Sequence, residues 1–180
     1  MKKFIFFSSF LLMTTLVLSC SGQKSNAEDK DRGYIVKVGN MAPDFTAILT
    51  DGATFKLAEN RGKVVMLQFT ASWCSVCRKE MPHIESEIWQ PLKEKGLVLI
   101  GIDRKETMET AIEFAKKMEI SYPLAPDPES EIFTLYARKD AGVTRNVIVG
   151  KDGKIVFLTR LFDRDEFDEM IALIKKLLEE

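Results

Sequence analysis

One stretch of this 180-residue chain constrains everything around it: residues 70–82, Thr-Ala-Ser-Trp-Cys-Ser-Val-Cys-Arg-Lys-Glu-Met-Pro. An apolar run at residues 64–67, with Phe69 close behind, precedes it. Apolar residues at helical spacing, Met81, Ile84, Ile88 and Trp89, follow it. The pattern predicts strand, short loop, helix, with Cys74 at the helix mouth and Cys77 one turn in. The first turn of a helix carries unpaired backbone N–H groups and the positive end of the helix dipole, and both favour a thiolate over a thiol. In a Cys-X-X-Cys pair so placed, the first cysteine has its pKa lowered from about 8.5 to roughly 3.5–7.5. The i, i+3 spacing sets both sulfurs on one side of the turn, close enough to bond reversibly. Arg78 and Lys79 add positive charge nearby. The bland readings are a structural disulfide or half a zinc site. Zinc needs two further ligands, and outside the motif the chain offers only His83 and Cys20. The strand–helix context favours redox chemistry by the cysteines themselves, with no metal and no cofactor.

Upstream, residues 1–20 read as a signal segment. Lys2 and Lys3 precede an apolar stretch over residues 4–18, diluted by Ser8, Ser9, Thr14 and Thr15. That is short for a membrane span, which needs ~20 apolar residues. Val17-Leu18-Ser19-Cys20 resembles a bacterial lipobox, although Leu18 stands where a smaller residue is more usual. The resemblance implies that Cys20 is acylated and becomes the mature N-terminus; the alternative is an ordinary signal peptide with an incidental cysteine. With Cys20 modified, only the Cys74–Cys77 pair remains of the three cysteines. Residues 21–35 read as a flexible tether, because residues 21–32 are polar and charged without apolar periodicity. Residues 36–180 then have the size of one domain. The net charge of −1 gives no electrostatic case for nucleic acid.

Within that domain, Phe45, Ala47 and Leu49 alternate with polar neighbours, Asp51-Gly52 signals a turn, and residues 54–57 return, predicting a hairpin ahead of the core. Pro91 should end or kink the helix that follows the cysteines. Residues 97–102 form a near-continuous apolar run suited to a parallel strand covered on both faces, with Asp103 at its end. Met108, Ala111, Ile112, Ala115 and Met118 predict a second amphipathic helix. Residues 122–128 read as an irregular loop, with Asp127 capping a helix and Pro128 at its first position. Residues 143–149 and 155–158 are strand-like around a turn, and Asp163 with Glu166 matches an aspartate version of the capping box before a last helix. The order implies an α/β fold.

The stretch Trp73-Cys74-Ser75-Val76-Cys77-Arg78-Lys79-Glu80-Met81-Pro82 resembles the active site of the thioredoxin-like superfamily. It is most similar to the TlpA-like, membrane-anchored thiol-disulfide oxidoreductases. Val38-Gly39-Asn40-Met41-Ala42-Pro43-Asp44-Phe45 resembles the opening those proteins share with AhpC/TSA-related peroxiredoxins. The resemblance implies a thioredoxin-like fold, a central mixed β-sheet flanked by helices, with an added N-terminal β-hairpin. It implies Cys74 as nucleophile, Cys77 as resolving thiol, and Glu80 as the base for Cys77, since Gln68 stands where thioredoxins often carry a buried aspartate. Trp73 is the implied aromatic cover beside the nucleophile, and Pro82 the helix kink. His83 reads as a surface residue.

The family usually places a cis-proline opposite the cysteines, in a Gly-Val-Pro-like context. Here the text is Gly142-Val143-Thr144-Arg145-Asn146. A cis bond before a non-proline costs about 2.5–4 kcal/mol, so a trans bond is expected at Thr144, with Val143 and Thr144 forming an altered substrate-binding loop. Peroxiredoxins lack that proline and use an arginine here, which makes Arg145 the residue behind the alternative reading, a peroxiredoxin-like thiol peroxidase. Against it, the motif P-x-x-x-T-x-x-C would need Pro and Thr where Leu67 and Ala71 stand. The implied function is a lipid-anchored, extracytoplasmic thiol-disulfide oxidoreductase of a bacterial envelope, acting as a reductant because Ser75-Val76 supplies no histidine between the cysteines. Its implied partners are protein thiols and disulfides, a membrane electron donor such as a DsbD-like protein, and the lipid membrane through Cys20.

Overall fold

The computed structural model describes Met1 and residues 32–180, so the signal segment, Cys20 and most of the tether lie outside the described residues. The described chain runs β1 (Thr46–Ile48), β2 (Thr54–Lys56), β3 (Val65–Thr70), α1 (Ser75–His83), α2 (Gln90–Leu92), β4 (Val98–Arg104), α3 (Met108–Lys117), β5 (Leu124–Asp127), α4 (Glu131–Tyr136), β6 (Arg145–Val149), β7 (Ile155–Leu158) and α5 (Arg164–Glu179). The apolar run before the cysteines becomes β3, the middle strand of a five-stranded sheet ordered β5-β4-β3-β6-β7. β3 pairs in parallel with β4 and antiparallel with β6, so the sheet is mixed, as expected. All six residues of β3 are buried, because both edges are paired and both faces covered.

Strand alternation divides the core in two. Val65, Leu67 and Phe69 face a cluster with Phe45 and Phe55 of the hairpin region and Phe133 and Tyr136 of α4. Val64 and Met66 face the other side, with Met81, Ile84, Phe114, Phe167 and Met170 from the helices. The predicted hairpin is present as β1 and β2, antiparallel in a small sheet of their own.

Three local expectations need correction. Residues 122–128 were expected as an irregular loop, but Leu124–Asp127 is a strand, parallel to β4. Pro123 and Pro126 hide it in the sequence; they are tolerated because β5 is an edge strand, where a missing N–H costs no ladder bond. Of the two outcomes expected at Pro91, an end or a kink, the end does not occur. Residues Ile84–Trp89 widen into π-helix, with the Gln90 N–H donating to Glu85 O, and the chain runs on through Pro91 until Gly96 at φ 94°. Widened turns absorb the bonds that Pro82 and Pro91 cannot make. Asp127 does cap α4, its carboxylate accepting from Ile132 N at 3.2 Å and Phe133 N at 2.8 Å, but the helix begins at Glu131, not at Pro128.

At α5 the capping box is half formed. Asp163 Oδ1 accepts from Glu166 N at 3.0 Å, while the Glu166 carboxylate accepts from Arg32 Nη2 at 2.7 Å and Arg160 N at 3.3 Å. Residues 32–35, counted with the tether in the sequence, therefore lie on the domain: the Tyr34 hydroxyl donates to Thr159 O at 2.7 Å, and Ile35 N donates to Tyr136 O at 2.9 Å.

Candidate active site

β3 ends at Thr70 and a four-residue loop brings Cys74 to the N-terminus of α1. Cys74 is the N-cap itself: its backbone is extended, and its Sγ accepts from Cys77 N at 3.2 Å. Cys74 and Cys77 form a disulfide across the first turn, Cα atoms 5.3 Å apart. Cys74 is half-buried, whereas Cys77 is fully buried in the core. Of the two cysteines, only Cys74 is open to solvent. Trp73, 56% exposed, directly precedes Cys74 in the chain.

The 139–144 loop closes over the disulfide. Thr144 Oγ1 lies 3.1 Å from Cys74 Sγ and 3.2 Å from Cys77 Sγ. No described peptide bond is cis, so the bond before Thr144 is trans. Val143 is buried in the core, leaving its backbone, not its side chain, for any substrate contact. Arg145 is buried too. Its guanidinium lies over the Tyr34 ring at 4.5 Å and donates to Gly142 O and Arg32 O, so it holds the loop and does not point at the sulfurs.

Glu80, one helical turn past Cys77, is 1% exposed. Its Oε1 accepts from Asn146 Nδ2 at 2.7 Å, and Asn146 in turn donates to Thr159 Oγ1. Burial pushes the Glu80 carboxyl up to about 7; the amides of Asn146 and Gln68 draw it part of the way back, and the Glu166 charge adds to the rise. Gln68, at the position of the missing aspartate, accepts from the Tyr122 hydroxyl at 2.8 Å. Tyr122, Gln68, Glu80, Asn146 and Thr159 thus form a polar seam through an apolar sheet. Asn146 escaped the sequence reading; the signal was one amide inside the apolar run of β6.

A carboxylate pair, Asp103 and Glu106, lies on the other flank of the cysteine loop. Glu106 accepts from Ser72 N at 3.0 Å and from the Ser72 hydroxyl, while Arg78 donates to Ser72 O. Asp103, fully buried at the end of β4, is pushed up to about 9, first by burial and then by Glu106 beside it. This biases Asp103 toward its protonated form. His83 is half-buried, pairs with Glu87 at 2.7 Å and stacks on Phe162, away from the sulfurs. Among the described residues no cluster of three or more His, Cys, Asp or Glu is placed to hold a metal.

Residues 38–158 match the AhpC/TSA family. Thiol-disulfide oxidoreductase ResA of Bacillus thuringiensis subsp. konkukian is 32% identical over 130 residues, covering 69% of this chain and 73% of the relative. A Bacteroides thetaiotaomicron solution structure assigned as a protein disulfide isomerase is 55% identical, with a TM-score of 0.80, over 82% of this chain and 94% of that one. A Chlorobium tepidum structure assigned as thiol:disulfide interchange protein DsbE has a TM-score of 0.70 at 24% identity, over 79% of this chain and 99% of that one, a likeness of fold.

Proposed function

The chain belongs to the AhpC/TSA family, is thioredoxin-like and is a thiol-disulfide oxidoreductase, and from that premise we propose that it reduces protein disulfides outside the cytoplasm while anchored to a membrane by acylated Cys20. The observation that carries the chemistry is the asymmetry of the pair, with Cys74 accessible at a helix N-terminus and Cys77 buried behind it. In this cycle the Cys74 thiolate attacks a substrate disulfide, forming one S–S bond and expelling the substrate's first sulfur as a thiolate. Cys77 gives its proton to Glu80, a buried base with a pKa near neutrality, and its thiolate attacks Cys74 Sγ. The Cys74–Cys77 disulfide forms and the second substrate sulfur leaves, so two electrons pass to the substrate.

The reductant direction is supported by the absence of a histidine between the cysteines and by Glu80, which speeds release of reduced product. A membrane donor of the DsbD-like type would return the electrons. Among the described residues no helix is long and apolar enough to cross a membrane. Peroxide reduction, the alternative, draws no support from Arg145, whose guanidinium donates to the carbonyls of Gly142 and Arg32.

The test is the reduction potential of the pair, with insulin reduction and peroxide consumption measured on the same sample. A potential near the thioredoxin value of about −270 mV is expected, and one near the DsbA value of about −120 mV would reverse the proposed direction. Cys74→Ser should abolish exchange, while Cys77→Ser should accumulate mixed disulfides. Normal turnover by Cys77→Ser sinks the two-cysteine cycle.

A further inference from the structure

The cycle above, on which this inference rests, moves negative charge from one sulfur to the other, and one side chain touches both. Thr144 Oγ1 sits 3.1 Å from Cys74 Sγ and 3.2 Å from Cys77 Sγ, and Thr144 is only 2% exposed, which keeps bulk water from taking its place. The sulfurs of a disulfide carry no hydrogen, so the hydroxyl is the donor in the oxidised protein.

Its position is enforced. Arg104, itself buried, donates to Lys139 O at 2.7 Å and to Ala141 O at 2.9 Å. Buried Arg145 donates to Gly142 O at 2.9 Å. Arg160 Nη1 at 3.3 Å and Leu161 N at 3.1 Å both donate to Thr144 O. Three guanidiniums therefore pin the backbone of the 139–144 loop. A proline here would supply rigidity through its ring but no hydroxyl; this loop takes its rigidity from the arginines and presents a donor.

We propose that Thr144 is a catalytic hydrogen-bond donor whose hydroxyl stabilises, in turn, the Cys74 thiolate that attacks the substrate disulfide and the Cys77 thiolate that resolves the mixed disulfide. A threonine hydroxyl has one hydrogen on a rotor, so it serves one sulfur at a time and turns to follow the charge. Toward a neutral disulfide the bond is weak. Toward a thiolate it is charge-assisted, roughly twice as strong, and favours the ionised sulfur. The hydroxyl keeps its hydrogen throughout: Cys77 loses its proton to Glu80, which returns it to solvent, and the two substrate thiolates expelled in turn are protonated by solvent.

Thr144→Val keeps the branched shape and removes the donor; Thr144→Ser keeps the donor and removes the methyl. Thiolate absorbance of the reduced protein across pH should show the apparent Cys74 pKa raised by about one unit in Thr144→Val. Exchange measured below that pKa should be slowed about tenfold, with wild-type behaviour largely restored in Thr144→Ser. Thr144→Ala, smaller and without a donor, should behave as Thr144→Val and stands in if the valine fails to fold. Wild-type titration and rates in the valine and alanine variants, or a serine variant as impaired as they are, would overturn the proposal. Cys74→Ser in the same assay separates the two readings: exchange surviving that change overturns the cycle itself, whereas loss of exchange there with an indifferent Thr144 overturns only the role of the hydroxyl.

Discussion

A carboxyl group 1% exposed in a helix is costly to ionise, and Glu80 sits there with one firm hydrogen bond, from Asn146. Its folded pKa is raised to about 7, from an ordinary value of 4.5. The folded state therefore binds a proton more tightly than the unfolded chain. The stability this supplies is complete below the unfolded value and is lost as pH rises through about 7. Glu80→Gln should match the wild type in thermal denaturation at about pH 5 and exceed it at about pH 8. The same variant should lose the part of the exchange profile that climbs through pH 7. An unchanged pH–rate profile would leave Glu80 as a buried structural acid. The cysteines and Glu80 were legible because the motif is local, spanning two helical turns. Asn146 and Glu106 were not, because they reach Glu80 and Ser72 across 66 and 34 residues of chain, distances at which spacing carries no signal.

The elements around the site were read from runs and periodicities, and that worked wherever burial was simple. β3 and β4 are apolar runs covered on both faces, and the stripe of Phe167, Met170, Ile171 and Ile174 is the buried face of α5. β5 was missed because two prolines signal a loop unless the strand's edge position is known, and edge position belongs to the sheet, not to the segment. The arginine-pinned loop was hidden for a related reason. Arg104 closes β4 and reads as a solvated charge, yet it is 4% exposed and lies over the Phe133 ring at 3.7 Å. Arg104→Met keeps the apolar stem and the volume but removes the donors to Lys139 O, Ala141 O and Ser130 Oγ. Stability should fall by about 3 kcal/mol, because the carbonyls are left without a strong partner. Amide hydrogen exchange should quicken in the 139–144 loop ahead of β3 and β4. Equal protection of that loop in wild type and variant would mean that the remaining contacts of Arg145 and Arg160 suffice to hold it.

At the scale of the whole molecule, one domain carries the complete redox apparatus, and the proposed anchor lies in chain outside the described residues. Cys74, Cys77, Thr144, Glu80 and their supports all fall within residues 32–161. Chemistry and location should therefore separate cleanly. A net charge of −1 gives no overall attraction to anionic lipid, and one acyl chain gives only marginal, reversible attachment. Membrane residence on this reading requires a multiply acylated N-terminus, and Cys20 is the residue proposed to carry it. Cys20→Ala should shift the protein from the washed membrane fraction to the soluble envelope fraction. The purified variant should keep the reduction potential and the insulin-reduction rate of the wild type, since the site contacts among the described residues are made by other side chains. In cells, a membrane-bound donor would recharge the released protein more slowly, and the fraction with the Cys74–Cys77 disulfide should rise, as thiol trapping would show. A Cys20→Ala protein that stays with washed membranes would overturn lipid attachment at Cys20, and one that is released yet remains as reduced as the wild type would overturn a membrane-held electron donor.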